Sequence, residues 1–278
     1  MKQAHRLGIR PPTFSRRQIT GKADALIRRH FDLVGLNAAR LGMRFESIYE
    51  NVIYPEYEID LELGENLGDD ESGSKILGKF LPHENLVLID ASLGPNDPRR
   101  TFTLWHEVGG HAILQGEWLR SELRRVQTEI QTTEADLSHS VESRLEWQAN
   151  FYAGQAAAPT WLIVYAIRSI FELNRPYRYI GPQKYWFPFP DGARTLHCRS
   201  FNEVCRRIAC CIQRLFGNLS VEALSYRVEE SPFVIDETCG QVKLELRRTA
   251  NAHRQIHRRP VRQNSGQRDR TLAVAGSH

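Results

Sequence analysis

The chain has 278 residues, a formal net charge of +4, and hydrophobic and charged fractions of 41% and 25%. These values suit a soluble globular protein that can bury a core in one large or two small domains. The charged N-terminus with Pro11 and Pro12 is not a secretory signal, and no apolar run approaches the roughly 20 residues needed to span a bilayer, so the expected location is cytoplasmic and no membrane partner is expected. The five cysteines, Cys198, Cys205, Cys210, Cys211 and Cys239, are odd in number and lack CxxC spacing; they read as reduced, mostly buried structural thiols.

In chain order, residues 1–18 form a basic leader, expected to be loose, and 20–42 a helix with Ala25, Leu26, Phe31 and Leu33 among its apolar positions. Residues 46–63 are mixed with strand-like pieces, and the acidic, Gly-rich stretch 64–73 is a loop. His83 sits in a polar turn at the surface, and Leu86–Ile89 follows as a short apolar strand. A helix is expected from about Arg100 to Gly116. Residues 117–140 form a charged connection, helical or lid-like, before a second helix from Val141 that ends near Pro159. Residues 175–195, rich in Pro, Tyr, Trp and Phe, read as irregular.

Within the first of these helices, residues 106–111 read His-Glu-Val-Gly-Gly-His. Two imidazoles bracketing a carboxylate form nearly the HExxH arrangement, in which two histidines on one helix face bind zinc and the glutamate acts as general base toward water. Here the second histidine comes five residues after the first. An i,i+4 pair lies roughly 40° apart around a helix and an i,i+5 pair roughly 140° apart, so an ordinary helix would turn one imidazole away. A one-residue bulge of π type restores the facing, and Gly109 and Gly110 are the residues most able to permit it. The run also matches the HExxGH pattern of dipeptidyl peptidase III zincins, which nothing else in the chain resembles.

A catalytic zinc site needs a third protein ligand. The second helix offers Glu146, close to an apolar stripe of Leu145, Ala149, Tyr152 or Ala153, and Ala156. A carboxylate turned inward is costly unless paired or bound to a metal. Asn150, one turn later, can hydrogen-bond a ligating carboxylate from outside the coordination sphere.

Together, Arg99–Leu114 and Glu146–Ala153 resemble the ImmA/IrrE family of zinc metallopeptidases, over roughly residues 45–160. Carried across position by position, the resemblance implies His106, His111 and Glu146 as Zn2+ ligands and Glu107 as the catalytic general base; Tyr152 and Tyr165 are the available guesses for a transition-state donor. Two departures are the extra Gly and an Ala-Ala-Ala-Pro ending where the family commonly has LLMP. The implied fold is α+β, a zincin-like core whose small mixed sheet has an edge strand packed on the metal-site helices, with a helical C-terminal part. An edge strand just before the metal helix would let an extended peptide add by main-chain hydrogen bonds. The implied function is a metallo-endopeptidase acting on a protein or peptide, a DNA-binding repressor by analogy with relatives. The expected domains are a leader at 1–18, the peptidase domain at 19–174, an aromatic segment and helix pair packed on the core at 175–240, and a disordered tail at 241–278.

Two further readings compete: a catalytically inactive zincin-like binding module and a DNA-associated regulator. Val204, Ile208, Ile212 and Leu215 recur at helical spacing, and Ser220 is a candidate N-cap for a following helix. The pair is similar to a helix-turn-helix, but its second helix carries Glu222, Glu229 and Glu230 against Arg227 alone, a poor surface for phosphates. The tail at 241–278 nets +7, so residues 1–240 net −3. Nucleic-acid contact through that tail ranks below the peptidase reading.

Overall fold

Ser15 and Gln18 open the first helix, α1 (Arg16–Val34), by capping each other: Gln18 N–H donates to Ser15 Oγ (3.3 Å) and Ser15 N–H to Gln18 Oε1 (2.9 Å). This reciprocal arrangement satisfies two donors that a bare helix end would leave open. The structure, a computed structural model, describes residues 12–36, 42–122, 130–133 and 144–238. Residues 1–11 of the expected leader, most of the connection at 117–140, Cys239 and the basic tail lie outside the described residues.

The stretch 46–63 is mixed, with its strand confined to the end; before it α2 (Phe45–Ile48), a π-helical turn (Tyr49–Ile53) and α3 (Tyr54–Tyr57) follow one another directly. The Ile and Val of this stretch suit a strand by propensity, but burial of Phe45, Ile48, Val52 and Ile53 on one side overrides it. Next come β1 (Asp60–Glu65), β2 (Ile76–Leu81) and β3 (Leu86–Asp90), with β4 (Ile130–Thr133) later in the chain. Their order is β1-β3-β2-β4, with β1 parallel to β3 and the other pairs antiparallel. Asn85, at φ 53°, turns the β2–β3 hairpin, and its Nδ2 donates to the carbonyls of Tyr57 (2.9 Å) and Glu58 (2.6 Å).

The strand expected at the sheet edge is not there. Leu86–Asp90 lies between β1 and β2, because Asp60–Glu65 pairs along its free side. Among the described residues the edges are β1 and β4. Asp90 closes β3: its carboxylate accepts from the N–H groups of Leu67 (2.9 Å) and Ser92 (2.8 Å) and meets Lys75 Nζ at 3.2 Å.

The sheet packs on a layer of helices: α4 (Pro98–Leu104) passes into a π-helix (Trp105–Leu114) and then α5 (Gly116–Glu122), while α6 (Arg144–Ala157) runs along the π-helix with α1 against its other side. Next, α7 (Thr160–Ile170) leads to β5 (Tyr177–Tyr179) and a hairpin of β6 (Gln183–Phe189) and β7 (Gly192–Cys198). Residues 177–198 are therefore largely strand, not irregular; Tyr185 and Phe187 face inward while Lys184 and Trp186 are exposed, the alternation of a half-buried strand. The helix pair is α8 (Phe201–Ile212), continued by a 3₁₀ turn at Gln213–Leu215, and α9 (Val221–Glu229), with Ser220 as N-cap accepting from Ala223 N–H at 3.1 Å. Strand β8 (Val234–Asp236) pairs in parallel with β5. One core cluster runs from Ile19 to Val234, and residues through Asp236 form one unit. The class is mixed, α+β. Among the described residues no helix is long and apolar enough to cross a membrane, and Cys198, Cys205, Cys210 and Cys211 are free thiols.

Candidate metal centre

The facing problem posed by His106 and His111 is solved by more than a single bulge. All of Trp105–Leu114 is π-helical, and hydrogen bonds running i→i+5 bring residues five apart onto one face. The two imidazole centroids are 4.6 Å apart at 76°, and the Nε2 atoms approach to 2.9 Å. Gly109 and Gly110 have a second role that spacing does not disclose. A Cβ on Gly109 would lie 2.3 Å from the Tyr152 ring, and one on Gly110 would lie 2.5–2.6 Å from Ala149 Cβ and Cα. The glycines let α6 come close enough to present its carboxylate.

That carboxylate is Glu146. Its oxygens lie 3.2 Å from His106 Nε2 and 3.5 Å from His111 Nε2, and one donor atom from each of the three residues falls within 4.8 Å of the others. His106 and His111 are fully buried and Glu146 is 3% exposed. Each imidazole is held from behind by an amide. Asn150, expected beside the carboxylate, places Oδ1 2.9 Å from His106 Nδ1. Gln115 Oε1 is 3.0 Å from His111 Nδ1, while Gln115 Nε2 donates to the Leu145 carbonyl at 2.9 Å. An imidazole whose Nδ1–H donates to an amide oxygen keeps its Nε2 lone pair free. Three electron-pair donors then converge on one buried point, an arrangement that repels itself unless a cation or proton is shared among them. The donor set therefore fits a metal ion.

The electrostatics agree. Burial opposes charge on His111, but the Glu146 carboxylate outweighs it, with Glu107 and the Gln115 hydrogen bond adding to the effect, and the imidazole is pushed up to about 9. Burial likewise works against an ionised Glu146, yet the charge and hydrogen bonds of His111 and His106 hold it well below the ordinary carboxylate range. A positive charge is thus favoured at this point of the interior.

Glu107 is fully buried and lies against the sheet: a Cβ on Gly78 of β2 would meet Glu107 Cγ at 2.7 Å, Thr103 Cγ2 at 2.8 Å and Glu107 Oε1 at 3.0 Å. Tyr152 stacks its ring on Gly109, and its buried hydroxyl has no hydrogen-bond partner among the described residues. Tyr165 lines a separate hollow on α7 with Trp161, Arg168 and Asn174. Gln115 escaped sequence reasoning. Its position, four residues after His111, is a weak hint, because the carbonyl that orients it comes from Leu145, thirty residues on. No family model matches the chain, and no curated protein matches it.

Proposed function

We propose that this chain is a zinc-dependent metallo-endopeptidase of zincin type, similar to the ImmA/IrrE family, that hydrolyses a peptide bond in a regulatory protein, a DNA-binding repressor being the favoured class of substrate. The observation that carries this reading is the convergence of His106, His111 and Glu146 on one buried point, with Glu107 adjacent to a ligand in sequence. Two imidazoles and a carboxylate are a donor set that catalytic zinc uses. When bound, the ion would polarise a carbonyl and make water a stronger acid.

The chain's own residues would do the rest. His106, His111 and Glu146 would hold the ion, and Asn150 and Gln115 would orient the imidazoles. Glu107 would accept a proton from the attacking water at a carboxylate oxygen and return it to the departing amine. Since β4 already occupies the free side of β2, an extended substrate would add at the outer edge of β4 or displace it.

The competing reading is a zincin-like module that holds a metal without catalysis. Complete burial of Glu107 and both histidines favours it, since a substrate must reach the base.

Elemental analysis of purified protein tests the metal: one zinc per chain is expected in wild type, lost in His111→Ala and Glu146→Ala but retained in Glu107→Gln. A folded wild-type protein without metal would sink the proposal. One zinc with no hydrolysis across a panel of protein substrates, in wild type as in Glu107→Gln, would select the non-catalytic module.

A further inference from the structure

Gln115 makes two hydrogen bonds that constrain each other. Its Nε2 donates to the Leu145 carbonyl at 2.9 Å, and its Oε1 lies 3.0 Å from His111 Nδ1. Both contacts are buried, and Gln115 is 1% exposed. Turning the amide over would set its oxygen against the Leu145 carbonyl, two acceptors face to face in a low-dielectric interior. The Leu145 carbonyl can only accept, so it dictates the amide orientation, and the amide dictates the imidazole. Oε1 can only accept, so Nδ1 must carry a proton, and Nε2 is the nitrogen left to face His106 and Glu146.

The contact also has a place in the architecture. Gln115 immediately follows the π-helix, while Leu145 lies in the first turn of α6, next to Glu146. The group that orients one candidate ligand is thereby tied to the backbone beside another.

We propose that Gln115 is a positioning residue that transmits the direction of the Leu145 carbonyl to His111, selecting the Nδ1–H form and so presenting Nε2 to the metal. The inference rests on reading His111 as a ligand. It accounts for a buried amide that carries no chemistry of its own, and it separates the two imidazoles. His106 meets the Asn150 side chain of α6, and His111 is oriented through a relay that includes the main chain.

The test uses full-length protein with 15N-labelled histidine, with and without added zinc, comparing wild type, Gln115→Leu and Gln115→Glu. In wild type, long-range 1H–15N spectra should show a slowly exchanging Nδ1 proton on His111 in both states. Gln115→Leu should lose that slow proton and bind zinc about 10–100-fold more weakly. Gln115→Glu keeps an acceptor for Nδ1 but sets a second oxygen against the Leu145 carbonyl, so it should retain the Nδ1 proton while recovering only part of the affinity, which a purely space-filling role for the amide would not produce. An unchanged Nδ1 proton and unchanged zinc affinity in folded Gln115→Leu would overturn the proposal, as would failure of Gln115→Glu to keep the proton. Should wild type take up no zinc, the metal reading fails, and the Nδ1 proton in the metal-free spectra still decides the role of Gln115.

Discussion

Burial alone would leave His111 neutral; what reverses this is a carboxylate 3.5 Å from its Nε2. In the metal-free chain the proton therefore stays on the imidazole up to about pH 9. Such a raised value contributes stability that is fully present below the unfolded histidine value of about 6.5 and is lost as the pH rises through about 9. A metal must displace the same proton, so apparent zinc affinity should rise about tenfold per pH unit toward pH 9 and level off above it. Competition against a chromophoric chelator, from about pH 6 to 10, reads this directly. A flat profile would mean that the imidazole is already bare. The types and spacing of the candidate ligands were legible in the chain because HExxxH and a downstream Glu are local chemical patterns. The amide behind each imidazole was only half legible. Asn150 was placed near the site from helix periodicity, but its contact with His106 depends on how two helices face each other.

At the scale of elements, the two motif glycines show why helix propensity misleads here. In an open helix, alanine is about 1 kcal/mol better than glycine. Gly154, in α6 with nothing within 4 Å of a would-be Cβ, is such a position, and Gly154→Ala should stabilise the protein by about 0.5–1 kcal/mol. At Gly110 the new Cβ would meet Ala149 Cα and Cβ at 2.6 and 2.5 Å. Main-chain atoms cannot swing aside, so Gly110→Ala should lose about 3 kcal/mol and weaken metal retention by pushing α6 away. Urea denaturation of the two variants, with zinc content measured alongside, checks the opposite signs. A stabilised Gly110→Ala would show that the helices do not approach as described. The sequence pointed to a π irregularity, because five-residue spacing cannot face inward otherwise. Its extension over ten residues, all along the segment packed on α6, is recorded by no local pattern.

Across the whole molecule, Arg227 joins the C-terminal helix pair to the helix that carries Glu146. It is the lone basic residue among the acids of α9, yet it is not offered to a phosphate: it is 8% exposed and points into the protein. Its guanidinium donates to the Ala158 carbonyl (3.2 Å), Gln155 Oε1 (2.9 Å) and Thr160 Oγ1 (3.2 Å), and pairs with Glu230. Ala158 lies just beyond the end of α6, where carbonyls lack partners within the helix. Arg227→Met should cost about 3 kcal/mol because it leaves those acceptors buried and unmet. Thermal unfolding should show a lower midpoint while zinc stoichiometry stays at the wild-type level. An unchanged midpoint would mean that α9 is held by apolar contacts alone.

The amino-acid sequence by itself determined which residues can ligate, which can act as a base, where Ser220 caps a helix, and that the fold mixes helices with strands. All of these depend on side-chain chemistry or on periodicity within one segment. Only the tertiary structure decided that β3 is an interior strand, that residues 183–198 form a hairpin, that Arg227 faces inward, and that Gln115 bridges the Leu145 carbonyl and His111. Each of these is set by a partner distant in the chain, and nothing in a local pattern specifies which distant partner will be close enough to hydrogen-bond or to bury it.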